Sequence, residues 1–209
     1  MKKDIEAKMK ILDSAISLFA SKGFGSVSVR EITAHANVNQ AMVSYYFNGK
    51  IGILKEIINR FFDAYETVIK DAILIDKPFE QAFSEFIHSL VVFLKDNKDL
   101  FKVAYYELPF DKPEVIELRG EKISRIRKLL QGFFFPELDT NKKIDPYLPI
   151  LGPAVFSMIF SNFVLEPSLK ATFQMDFDDE FYETYAKTLS HVILKGMNGF
   201  VDDLMNDAF

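Results

Sequence analysis

Cysteine is absent from the 209 residues, and so is tryptophan. The first absence excludes disulfides, thiolate metal sites and cysteine nucleophiles, and it fits a reducing cytoplasm. Histidine is scarce as well. His35, His88 and His191 are scattered without metal-ligand spacing. No glycine-rich phosphate loop and no serine-elbow pattern occurs. Asp178-Asp179-Glu180 and Asp202-Asp203 read as charges at helix ends. An enzyme is therefore not expected, nor a metal, nor a cofactor. Strand patterns, internal repeats and low-complexity tracts are also missing, which leaves helices as the building material.

Phenylalanine is what the chain has in quantity. There are 22, of which only Phe19, Phe24 and Phe47 lie in the first fifty residues. Phenylalanine adds large apolar area without a polar handle, so the remainder has a surplus of dry interior. Charge is uneven too. Residues 1–50 hold seven Lys/Arg against four Asp/Glu, while the whole chain has a net charge of −5. A basic head on an acidic body points to a polyanionic partner for the head.

Hydropathy periodicity divides the chain into helices. Ile5, Met9, Leu12, Ile16 and Phe19 recur at helical spacing. Gly23 suits a left-handed cap, with Phe24 packing back on the last turn. Ser28 to Glu31 reads as a capping box, which opens a short helix over Val29 to Ala36. Asn37 suits the turn, and Asn39 caps a further helix from Gln40 to Phe47. Two short helices joined by a tight turn behind a longer one form a helix-turn-helix over about residues 28–47. Ala36, Val38, Val43 and Phe47 supply its core. Gln40, Ala41, Ser44 and Tyr45 share the opposite face, which is small, uncharged and tipped with hydrogen-bonding groups, as major-groove reading requires.

Beyond Lys50 the chain reads as long helices. One runs to about Leu74, and the next runs from Phe79 to near Asn97. A shorter helix covers Asp99 to Leu108, and another Glu114 to Phe135. A charged loop over Asp139 to Asp145 follows. Pro146 to Leu165 holds no charge and is nearly long enough to span a bilayer. Its three prolines, its Ser157, Ser161 and Asn162, and the lack of a basic flank favour a buried helix and no membrane. Phe173 to Asp179 reads as a connector, and Tyr182 to Leu204 as the last helix. Met1-Lys2-Lys3 leads into Asp4 and Glu6, so no signal peptide and a cytoplasmic location are expected.

The run from Ser28 through Val29-Arg30-Glu31-Ile32-Thr33, a turn, and Asn39 to Lys50 resembles the DNA-binding domain of the tetracycline-repressor (TetR) family. The resemblance is specific over roughly residues 5–65. Many members carry Gly where this chain has Asn37, and His where it has Tyr46. It implies an all-α fold, with a DNA-binding domain over 1–49 and a helical domain over 50–209 that binds a ligand and dimerises. It also implies a homodimer on double-stranded operator DNA, with repression as the usual sign. By resemblance, Gln40, Ala41 and Ser44 lie where members touch bases, with Arg30 a further candidate. Tyr45 and Lys50 lie where members touch phosphate, as does Ser28, and Asn39 belongs to the same set.

For an effector, candidate pocket walls are Phe62, Tyr65, Phe86, Phe93, Phe101, Tyr105, Phe134 and Phe160, with His88 among the polar groups placed to orient it. Taken together they suit a hydrophobic or aromatic molecule, although plain core packing explains any one of them. Two other functions stay open on sequence alone. One is a helical carrier of apolar small molecules with no regulatory role. The other is a nucleoid-type DNA protein that answers to a protein partner.

Overall fold

The structure is a computed structural model that describes residues 2–73, 77–134 and 145–205. The described residues form helices joined by short turns and loops, and contain no strand. The helices are α1 (Lys2–Lys22), α2 (Val29–Ala36), α3 (Ala41–Phe47), α4 (Lys50–Ile73), α5 (Phe79–Asp96), α6 (Lys98–Tyr105), α7 (Pro113–Phe134), α8 (Leu148–Phe173) and α9 (Asp179–Met205). The all-α expectation holds, and most helices begin and end within a few residues of where periodicity and breakers put them. The expected charged loop falls largely outside the described residues.

Two compact units emerge. The first comprises residues 1–64 and 97–125, and the second 65–96 and 126–209. Compactness therefore follows a different line from the expected boundary at 49/50. The first two-thirds of α4, all of α6 and the first half of α7 pack in the same unit as α1 to α3.

In the first unit α1 packs against α2, α3 and α6. Its buried face is Ile11, Leu12, Ala15, Ile16 and Phe19, while Ile5 and Met9 stay exposed. Ile32 of α2, Val43 and Phe47 of α3, and Ile53, Leu54 and Ile57 of α4 complete this core. Gly23 adopts φ 80°, donates its N–H to the Phe19 carbonyl at 2.9 Å, and lets the Phe24 ring meet Phe19 edge-on at 5.1 Å.

In the second unit α5 packs against α9 and α8. Phe83, Phe86, Leu90 and Leu94 of α5 are buried, as are Tyr182, Ala186, Leu189 and Ile193 of α9. Two contacts tie these helices at the surface, a hydrogen bond between His88 and Glu183 at 2.7 Å and an ion pair of Lys95 with Asp179 at 2.8 Å. Tyr185 donates its hydroxyl to the carbonyls of Met158 and Ile159 on α8, and burial pushes its pKa up to about 12.

The uncharged segment departs from expectation in two ways. It continues past Leu165 to Phe173, through Glu166 and an internal Pro167. Lys170 pairs with Glu166 one turn back at 2.9 Å, and Gln174 closes the helix in the left-handed region. More importantly, it is not buried in its own subunit: only Ile159 and Phe160 are, while Ile150, Met158, Leu165 and Phe173 are exposed. Lack of charge says that a segment avoids water, but it does not say which surface covers it. By length and composition alone α8 could also cross a membrane.

Candidate nucleic-acid interface

The frame of the interface is set by short-range hydrogen bonds. Ser28 is extended, and its Oγ accepts from the Glu31 N–H at 3.1 Å, which starts α2. The Glu31 carboxylate takes the Lys22 ammonium at the end of α1, and this pairing holds its pKa below the usual carboxylate range. Asn37, at φ 52°, ends α2, and the Val38 N–H reaches back to the Thr33 carbonyl at 3.0 Å. Asn39 then offers its Oδ1 to the Ala41 N–H at 2.8 Å. The sequence places Gln40 in α3, and the structure makes it the αR residue just before it. A hydroxyl or amide that accepts at a cap keeps its own donors, so Ser28 and Asn39 can each still give a hydrogen bond to phosphate.

On this frame the two faces of α3 separate cleanly. Ala36, Val43 and Phe47 are buried. Ser28, Arg30, Asn39, Gln40, Ala41, Ser44 and Tyr45 are all exposed. Tyr45 is 80% exposed, an unusual degree for a large aromatic side chain, and its ring rests edge-on against Tyr46 at 4.9 Å. Arg30 makes no ion pair among the described residues. Asp13, an acidic group of α1, is paired with Arg60 at 2.7 Å.

Lys50 is less free than a solvated lysine. Its ammonium lies 4.3 Å from the centre of the Phe24 ring and 5.8 Å from that of Phe19. Partial desolvation there lowers its pKa. Tyr46 donates its hydroxyl to Asp4 at 3.3 Å. Desolvation first, and the Asp4 charge second, raise its pKa. α3 is thereby tied to α1 by a side chain other than those of the exposed face.

Two features of the first unit escaped sequence reasoning. An added Cβ on Gly52 would lie 1.4 Å from the Phe47 carbonyl oxygen, so α4 meets the end of α3 at a distance only glycine permits. A lone glycine in a helical pattern was the available signal. Beside this joint is a groove of about 370 Å³ whose lining includes Lys55, Glu56 and Glu114. Its mixed charge differs from an apolar effector chamber.

The effector candidates divide between the units. Phe62, Phe101 and Tyr105 lie in the first, where Phe101 and Tyr105 stack at 5.5 Å. Tyr65, Phe86, His88, Phe93 and Phe160 lie in the second. Phe62, Tyr65, Phe86, Phe101 and Phe160 are buried, and Phe93 and Tyr105 half-buried. The His88 side chain is 45% exposed and engaged with Glu183. The side chain of Phe134 lies outside the described residues.

Comparison with known proteins follows the same division. Residues 11–57 match the family model "Bacterial regulatory proteins, tetR family". The chain is 27% identical to the probable HTH-type transcriptional regulator YttP of Bacillus subtilis over 168 residues, 79% of each chain. It is 32% identical to IcaR of Staphylococcus aureus, a negative transcriptional regulator of the biofilm operon icaADBC, over 62 residues. These make up 30% of this chain and 33% of that one. Its fold matches FadR of Bacillus subtilis, solved in complex with stearoyl-CoA, with a TM-score of 0.67 at 19% identity, covering 90% of this chain and 98% of that one. With its capped helix-turn-helix and exposed, uncharged outer face, the segment 11–57 is a DNA-binding domain of the tetR family, and the chain is similar over 79% of its length to an HTH-type transcriptional regulator.

Proposed function

We propose that a homodimer of this chain represses transcription by holding a two-fold operator, and that a hydrophobic or aromatic small molecule releases it. The single observation that carries the DNA half is the outer face of α3, which is exposed, uncharged and fixed in a capped frame. Gln40, Ala41 and Ser44 read base edges, with Arg30 beside them on α2. Lys50, Tyr45, Ser28 and Asn39 hold phosphate. Gln pairs bidentately with adenine and Arg with guanine, whereas Lys50 acts as a point charge.

Residues 1–49 thus carry the reading surface, and residues 50–209 carry the effector and dimer functions, a division of labour and not of packing. Exposed Ile150, Met158 and Leu165 on α8, with Val192 on α9, form the surface that a second copy covers. This role for α8 accounts for its apolar length without a membrane. Two heads then sit one DNA turn, about 34 Å, apart. Negative control is supported by the staphylococcal relative, and an apolar effector by the stearoyl-CoA complex of the similarly folded FadR. Of the aromatic candidates, Phe62, Phe101 and Tyr105, which share the first unit, are the proposed wall. Such a protein works on DNA in the cytoplasm and catalyses no reaction.

Operator selection from random sequence, followed by titration against operator and scrambled DNA, tests the reading. Strong discrimination that falls on adding the effector is expected. Equal affinity for both DNAs would leave a helical carrier of apolar molecules as the better account.

A further inference from the structure

Arg119, in the first half of α7, has an environment that the DNA-binding function does not explain. Its guanidinium carbon lies 4.8 Å from the centre of the Tyr105 ring and 5.7 Å from that of Phe110. Its Nε–H is fully buried and meets no hydrogen-bond acceptor among the described residues. The side chain makes no ion pair with any described carboxylate, although other cations nearby do. Lys122, three residues on, pairs with Asp63 at 2.7 Å.

A half-buried guanidinium has lost part of its hydration. Its five donors, fixed in a planar fork, match an oxyanion bidentately. Ring faces offset some of the lost hydration but supply no acceptor. The charge is therefore left partly unsatisfied, which is costly unless something completes it. Tyr105 stacks on Phe101 at 5.5 Å, and Phe101 meets Phe61 at 6.0 Å. One row of aromatic rings thus ends at a cation. On the open side Phe110 is 63% exposed, and Tyr106 and Ile116 are each 43% exposed, so apolar surface adjoins the charge.

We propose that Arg119 is the anion-binding group of the effector site, holding the oxyanion head of an amphiphile whose apolar part lies on the exposed surface of Phe110 and Ile116 next to Tyr105. This rests on the effector reading above and narrows it to an anionic amphiphile. A carboxylate and a phosphate head share the required chemistry. Neutral and cationic apolar molecules lack it.

The experiment uses the full-length protein and four twelve-carbon probes below their micelle concentrations: dodecanoate, dodecyl phosphate, dodecanol and dodecyltrimethylammonium. Calorimetry gives each affinity for the native chain, Arg119→Gln and Arg119→Lys, and thermal melts confirm that the variants fold. The native chain is expected to bind at least one anion about tenfold tighter than dodecanol, in keeping with a charge-assisted pair. The order of the two anions tells which head is preferred. Arg119→Gln should abolish the gap and leave dodecanol binding unchanged, Arg119→Lys should retain part of it, and operator affinity without probe should stay constant. Equal binding of anions and alcohol by the native chain overturns the role of Arg119 while leaving an apolar effector site in place. An anion preference that survives Arg119→Gln does the same. Binding of none of the four overturns both readings.

Discussion

The ammonium of Lys50 sits over the ring of Phe24 at 4.3 Å, so the first cation of α4 is held in place by the residue that follows the cap of α1. Position and chemistry are coupled here. The ring restrains the side chain, and the same contact strips water from the charge and lowers its pKa. Lys50→Ala is expected to weaken operator and random DNA alike and to make the salt dependence shallower by about one unit of log–log slope. Anisotropy titrations across a salt series check this. A loss confined to the operator would assign Lys50 to base reading.

The lowered pKa gives a second expectation with a definite sign. Lys50 is charged below its pKa and neutral above it, so its hold on phosphate weakens as pH rises through a value below that of ordinary lysine. Lys50→Arg keeps its charge throughout this range and should remove that part of the pH dependence. Matching alkaline affinity profiles for the native chain and Lys50→Arg would show that the ammonium takes no part.

Gln40→Ala separates letters from backbone. It should cost about 1–3 kcal/mol on the operator and leave affinity for scrambled DNA unchanged. Selection repeated with the variant should show relaxed preference at one base pair in each half-site.

Ser28→Ala removes the acceptor that starts α2 and should lower stability by about 1 kcal/mol, read as a drop in melting temperature. Ser28→Asp retains a cap and should restore the melting temperature. It should also bind DNA less well, because a carboxylate faces phosphate where a hydroxyl stood. Recovery of DNA affinity along with stability would confine Ser28 to capping.

Association through α8 and α9 is tested at exposed positions. Met158→Asp with Val192→Asp is expected to convert a micromolar dimer to a folded monomer by sedimentation, with loss of operator binding. Phe160 is unsuitable for this purpose, since it is buried within its own subunit and an aspartate there would disturb the fold. A dimer that persists in the double variant would place the interface elsewhere.

The reading head was legible because its determinants are local. The Ser28 cap, the turns at Gly23 and Asn37, and the spacing of Val43 and Phe47 each act within one helical turn. Residues 40, 41, 44 and 45 then fall outward by geometry alone. What stayed hidden depends on neighbours far away in sequence. Lys50 reads as a free cation until Phe24 is seen beneath it, and Arg119 is one arginine among several until its aromatic cage is in view. The uncharged stretch of α8 announced burial, but its composition could not distinguish the interior of one subunit from the surface of another. His88 lay on a plausible inward stripe, yet the buried face of α5 passes through Leu90 and Leu94 and leaves it at the rim with Glu183.

The close approach at Gly52 bears on how such a reader can change over time. At seven residues α3 is too short to hold its own conformation. Its aim depends on Val43 and Phe47 inside and on the contact of Gly52 with the Phe47 carbonyl beneath. Gly52→Ala should therefore shift α3 and weaken DNA binding even though it touches no nucleotide. Positions 40, 41 and 44 on the outer side support nothing. Under the proposed reading, descendants of this gene can exchange the letters they recognise by substitution on that one surface, while the contact at Gly52 that mounts it admits no side chain.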